Sequence, residues 1–292
     1  MPTFSRRQLV VLVLLTLIWG LNWPIMKFGV ADLPPLTFRT ISFWIALPIL
    51  VQVLRAQGVG FAVPRSFWPR LLVLTLTNMV AWHALMIVAI PMLSSGRAAI
   101  LGYTMPIFSA VIGSFFYGDR LSARAWGGVA AAAIGVVLLL WNEMQLLGGS
   151  TLGVALMLAS AAAWALGVQQ LRRSQVPVAL LTLSFWMVAL TCVAMTVLAV
   201  VLEHRHWHWP GAGTWGAIAY NGVLVLGFAQ VAWFYLARTL PPVASTLSVM
   251  MIPVIGVFTG AWWLGEVLRW QDWSAVGLMV LAIASVLWPP RR

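Results

Sequence analysis

Trp19, Asn22, Trp23 and Met26 stand at i, i+3, i+4 and i+7 of an apolar run, so on a helix they form one stripe that mixes indoles with an amide. Asn78, Trp82, His83 and Met86 gather in a later run, and Asn221, Gln230 and Trp233 are spread along another. Tyr103 and Ser248 are the polar candidates in two further runs, and Trp164 is the aromatic one in a third. Rings with apolar faces, and amides that donate and accept without net charge, are suited to hold a small amphipathic solute. Bond-making chemistry is poorly served by the same list. An enzyme working inside a membrane needs a nucleophile beside a base, or an aspartate pair. No Gly-x-Ser-x-Gly occurs, His83 has no acid near it in its run, and all six Asp and Glu fall at the ends of apolar runs or between them. Cys192 is the only cysteine, which excludes an intrachain disulfide and a thiolate metal site. His204, His206 and His208 alternate along a polar linker and read as a solvated loop. No cofactor and no metal are expected.

The elements that must position these residues follow from composition. Of 292 residues, 62% are hydrophobic and 8% charged, against about 25% charged in an ordinary soluble domain. Mean hydropathy is +0.96. These values exclude a water-soluble enzyme, and basic residues scattered between apolar runs leave no footprint for nucleic acid. Ten such runs can be marked, at 9–28, 36–54, 71–90, 96–117, 125–142, 151–170, 178–202, 214–237, 243–265 and 272–288. Most approach the roughly 20 residues a helix needs to cross a bilayer. Backbone in lipid must satisfy its own hydrogen bonds, and runs of this length do so as helices. With the N-terminus inside, only Lys27, Arg39, Arg97, Arg205 and Arg269 of the 17 basic residues face out, a split of 12 to 5 that favours both termini in the cytoplasm. A multi-pass protein of the inner (plasma) membrane is expected. The opening Ser5-Arg6-Arg7 is read as a cytoplasmic anchor for the first helix, since no small-residue cleavage site follows it.

Residues 68–141 align with 215–288 at a constant offset of 147. Trp68 meets Trp215, Pro106 meets Pro253, Gly113 meets Gly260, Gly118 meets Gly265, and Trp126 and Trp141 meet Trp273 and Trp288. Matches among rare residue types are not the chance product of two apolar sequences. A fainter echo pairs Thr40-Ile-Ser-Phe-Trp44 with Thr182-Leu-Ser-Phe-Trp186, and Trp19 with Trp164. Residues 1–147 and 148–292 therefore read as two homologous units of five helices. An odd number of spans makes the second copy enter from the opposite face, so the fold class is an all-α membrane protein built as a 5+5 inverted repeat.

That plan, the early Trp19-Gly20-Leu-Asn22-Trp23, the paired prolines and the Gly118-Asp119-Arg-Leu121 and Gly265-Glu266-Val-Leu268 stretches resemble the drug/metabolite transporter superfamily. More narrowly, the chain resembles its EamA-type exporters and, among those, inner-membrane aromatic amino acid exporters. The resemblance implies a secondary transporter that exports small amphipathic metabolites, aromatic or hydrophobic amino acids in particular, by alternating access. Candidate substrate contacts are Trp19, Asn22, Asn78, Trp82, His83, Tyr103, Trp164, Gln230, Trp233 and Ser248. The same polar groups would also serve as bridges between helices, and bridging is the preferred reading for Asn221. Pro106 and Pro253 read as hinges or as static kinks. Lys27, Arg39 and Arg97 are placed near outer helix ends, leaving no central cation. Without a carboxylate at mid-depth, facilitated diffusion is expected, with His83 the only buried group able to couple to protons. Drug-like or lipid-linked solutes on the same fold are the alternative. Expected partners are a small-molecule substrate and membrane lipid. Small residues in helices 5 and 10 (Gly127, Gly128, Gly135, Gly277) suggest bundle packing in a monomer, or a weak homodimer.

Overall fold

A computed structural model describes residues 5–145, 150–239 and 242–287. They form ten helical spans, α1 (Arg6–Asp32), α2 (Pro35–Ala56), α3 (Arg65–Met92), α4 (Ser95–Tyr117), α5 (Ala123–Gln145), α6 (Thr151–Arg172), α7 (Leu180–Glu203), α8 (212–239), α9 (Pro242–Leu264) and α10 (Trp270–Leu287). Seven contain apolar windows long enough to cross a bilayer, and Ala123–Leu139 and Met251–Leu264 are shorter apolar stretches. The face where α1 begins is called the near face here, and the face where α1 ends the far face.

The repeat is visible in who packs against whom. Contacts of α1 with α9, α3 with α6 and α2 with α8 are matched by α6 with α4, α8 with α1 and α7 with α3. The pairs α2–α7, α4–α9 and α5–α10 join equivalent members of the two halves. Exchanging each helix with the one five places later thus reproduces the packing, as two oppositely inserted copies around a pseudo-twofold axis require. Gly135 of α5 meets Ala275 and Leu278 of α10, a close packing within the chain, whereas a Cβ at Gly127 or Gly277 would meet nothing within 4 Å.

Helix ends explain where the acids lie. Every helix leaves unbonded N–H groups at its start, and these attract negative charge. Helices α2, α4, α6, α8 and α10 all start on the far face, and each receives a side chain. Glu203, ending α7, accepts from the backbone of Leu36 at 2.9 Å and Thr37 at 2.7 Å. Glu266 accepts from the Ser95 backbone and hydroxyl at 2.6 and 2.8 Å. Ser150 caps α6 at Gly153, Asp32 takes Gly211 and Thr214 at the start of α8, and Asp272 accepts from the Arg269 backbone ahead of α10. On the near face, α1 and α5 start on short local caps, Ser5 with Gln8 and Ser122, while α3 and α7 start without a side-chain cap.

The two halves also share an irregularity. Residues Leu76–Val80 of α3 and Tyr220–Ala229 of α8 are π-helical. At an offset of 147 the first segment falls within the second. Such widened turns are rare and gather at functional sites.

Candidate functional site

Between the halves lies a cavity of about 360 Å³, within the size range of sites that enclose small molecules. Its walls come from α1, α2, α3, α4, α6, α7 and α8. The stripe spacing on α1 turns Trp19, Asn22, Trp23 and Met26 to this space together, and α3 contributes Asn78, Trp82, His83 and Met86. Both π-helical segments border it, through Asn78 and Met79 in one and Val225 and Leu226 in the other. Near the α6–α7 turn it is lined by Leu171 and Leu180, so it extends towards the near face.

The aromatic furniture follows the repeat. Trp19 of α1 lies against Trp233 of α8, with ring centroids 5.8 Å apart. On the equivalent helix pair, Trp164 of α6 lies against Trp82 of α3 at 4.7 Å. Trp23 meets Tyr103 edge-on at 6.2 Å. Tilted and edge-on pairs of this kind leave flat ring faces as apolar walls.

Nine of the ten candidate contacts, Trp19, Asn22, Asn78, Trp82, His83, Tyr103, Trp164, Gln230 and Trp233, line this one space. The side chain of Ser248 lies outside the described residues. Gln169, not singled out in the sequence, sits deeper towards the near face and donates to the Ser109 hydroxyl at 2.9 Å. Asn221 is a bridge, completely buried, its Oδ1 accepting from Arg39 at 2.8 Å.

Arg39 is the residue that sequence reasoning misplaced. It is only 2% exposed and lines the cavity, not the rim. Because α2 starts at Pro35, Arg39 lies one turn inside the helix, held between α3 and α8. Its Nη2 is 2.8 Å and its Nε 3.3 Å from His83 Nδ1. A guanidinium only donates, so Nδ1 accepts and the neutral imidazole carries its proton on Nε2. The sequence signal was available in weak form: Arg39 is flanked by Thr37 and Thr40 inside the run, while the aligned position in the second half is Leu181. Among the described residues no Asp or Glu lines the cavity.

The prolines behave differently in the two halves. Helix α4 breaks at Tyr103–Thr104 and restarts with Pro106 in its first turn, whereas α9 runs unbroken through Pro253. Outside the bundle, His204 and His206 are exposed in the α7–α8 loop. His208 hydrogen-bonds the His206 carbonyl at 3.2 Å and lies 3.4 Å from Asp32, which together hold its imidazole above the usual histidine pKa.

Comparison with known proteins agrees with this architecture. A solved crystal structure superposes with a TM-score of 0.68 at 19% identity, covering 97% of this chain and 98% of the other, which establishes the shared fold. The uncharacterized inner membrane transporter YedA of Escherichia coli (strain K12) is 26% identical over 93% of this chain and 88% of its own length. A Salmonella typhimurium protein named probable amino-acid metabolite efflux pump is 26% identical over 96% and 94%. The model of the EamA-like transporter family matches twice, over residues 7–141 and 151–288, once for each half. The chain is a multi-pass membrane protein and belongs to the EamA-like transporter family.

Proposed function

We propose that the protein exports small amphipathic metabolites, aromatic or hydrophobic amino acids above all, by alternating access and down the solute's own gradient. The observation that carries this reading is a cavity walled by Trp19, Trp82, Trp164 and Trp233, with a few amides and one imidazole among the rings. Ring faces suit an aromatic or aliphatic side chain, and the polar groups suit an amino acid backbone. The relative named as an amino-acid metabolite efflux pump supports export of this class. A cavity reaching the near face, combined with interhelical polar contacts on the far face, fits a state open towards α1's starting side. With the basic residues counted as above, that side is the cytoplasm of a cell whose inner (plasma) membrane holds both termini inside. The break before Pro106 supplies one hinge, and Pro253 is its partner in the opposite motion.

Among the described residues no carboxylate lines the cavity, and its one imidazole, His83, is held by the Arg39 guanidinium at Nδ1. Both support uncoupled transport, since a proton-exchanging site needs a group free to titrate there. Counterflow in liposomes tests both halves of the reading. Labelled aromatic amino acid should exchange through reconstituted protein, and collapsing the proton gradient should leave the rate unchanged. Strict dependence on that gradient would overturn uncoupled transport. Exchange confined to hydrophobic drugs or lipid-linked solutes would overturn the amino acid assignment.

A further inference from the structure

Two groups in the cavity are incompletely satisfied, and they stand side by side. Arg39 is a buried cation whose hydrogen-bond partners are all neutral. Its Nε and Nη2 share one nitrogen of His83, and its Nη1 reaches Asn221 Oδ1 and, at 3.8 Å, the Met26 sulfur. Five N–H groups belong to a guanidinium. These contacts leave one Nη2 hydrogen without an acceptor among the described residues. Asn22, 7% exposed, donates weakly to that same Met26 sulfur at 3.5 Å, and its Oδ1 has no partner among the described residues. One sulfur atom is therefore within reach of both groups, and both border the cavity.

Each deficiency costs stability in an empty site. A buried charge without a counter-ion is unfavourable, as is an orphaned acceptor. A solute with a carboxylate and an ammonium on the same carbon would relieve both together. We propose that Arg39 and Asn22 form a two-point headgroup site, Arg39 taking the carboxylate of the transported solute and Asn22 Oδ1 its ammonium. The side chain of the solute is left to the tryptophan walls. This rests on the transport reading above and deepens it, by adding a required negative group and an orientation. It also corrects the expectation of a cavity without a cation.

Competition against labelled L-tryptophan counterflow is the test. The competitors are unlabelled L-tryptophan, tryptamine, which lacks the carboxylate, and indole-3-propionate, which lacks the ammonium. In the unmodified protein, tryptamine should compete at least about tenfold less well than tryptophan, the scale expected for a lost charge-assisted hydrogen bond. Indole-3-propionate should also be weaker than tryptophan. Arg39→Gln should bring tryptophan and tryptamine to within about twofold of one another, Arg39→Lys should restore part of the preference, and Asn22→Ala should erase only the distinction from indole-3-propionate. Should Arg39→Gln fail to fold, the competitor series on the unmodified protein and on Arg39→Lys still decides. Equal competition by tryptophan and tryptamine in the unmodified protein overturns the headgroup site and leaves transport standing. Failure of tryptophan to exchange at all overturns both.

Discussion

The turns that follow α4 and α9 are one piece of chain written twice. Each leaves its helix through a glycine with positive φ, Gly118 at 72° and Gly265 at 67°, a conformation in which a side chain is disfavoured. Each then sends an acidic residue back beside a second glycine, Asp119 beside Gly113 and Glu266 beside Gly260. There the likeness ends. Glu266 reaches across to the start of α4, with Arg97 and Asp272 paired next to it at 2.7 Å and almost fully buried. Asp119 pairs with Arg173, also at 2.7 Å, but that pair is 46% and 30% exposed. Equal backbones with unequal burial separate what the repeat supplies, a shape, from what later substitution added, a difference in strength between two faces.

The largest test of that difference removes one acid from each face. Asp272→Ala removes the buried carboxylate that pairs with Arg97 and uncaps α10, and should cost about 3–5 kcal/mol. Asp119→Ala should cost no more than about 1 kcal/mol, because exposed pairs contribute little. Unfolding of the two variants in detergent measures both, and equal losses would break the comparison. A finer test places a methyl group at the two matching glycines. A Cβ on Gly260 would lie 2.5 Å from Glu266 Oε2, and one on Gly113 would lie 2.5 Å from Asp119 Oδ2. Gly260→Ala should displace Glu266 from α4 and lose about 1.5–3 kcal/mol of charged hydrogen bonding. It should also speed labelling, from the far side, of a cysteine replacing Met26 in a Cys192→Ser background. Gly113→Ala should do neither to the same degree, since the half-exposed Asp119 can swing into solvent and leaves only the buried Gln169 Nε2, 2.9 Å from the new Cβ, to give way. The smallest effect belongs to His208. Its raised pKa means its contribution is present below about pH 6.5 and is lost as the imidazole deprotonates at higher pH. His208→Gln should therefore leave thermal stability unchanged in alkaline buffer and lower it slightly in mild acid.

Much of this was legible in the sequence, for a physical reason. A membrane-embedded helix spends few polar residues, so those it keeps are informative, and Trp19, Asn22, Trp82 and His83 pointed to one space because helical spacing decides which side chains share a face. Matching Trp, Pro and Gly positions revealed the duplication because those types are seldom interchangeable. Depth was harder. Arg39 stands four residues into α2, and whether that is rim or interior depends on how the helix tilts against α3 and α8. The unequal response of α4 and α9 was also hidden, since Pro106 and Pro253 are the same residue in the same register and only their surroundings differ. The π-helical segments carry no local signature at all.

Arg39, His83 and Asn221 correspond in the other copy to Leu181, Gln230 and Leu74. A duplicated carrier inherits the option of two shapes related by its pseudo-twofold rotation, but here the rotated shape would set leucines where the guanidinium and its amide partner now stand. The two shapes cannot be isoenergetic without help. Whatever supplies the difference, solute or membrane, acts on a molecule already weighted towards one resting form by three side chains, Arg39 and His83 of the first half and Asn221 of the second, whose counterparts in the opposite copy are different residues.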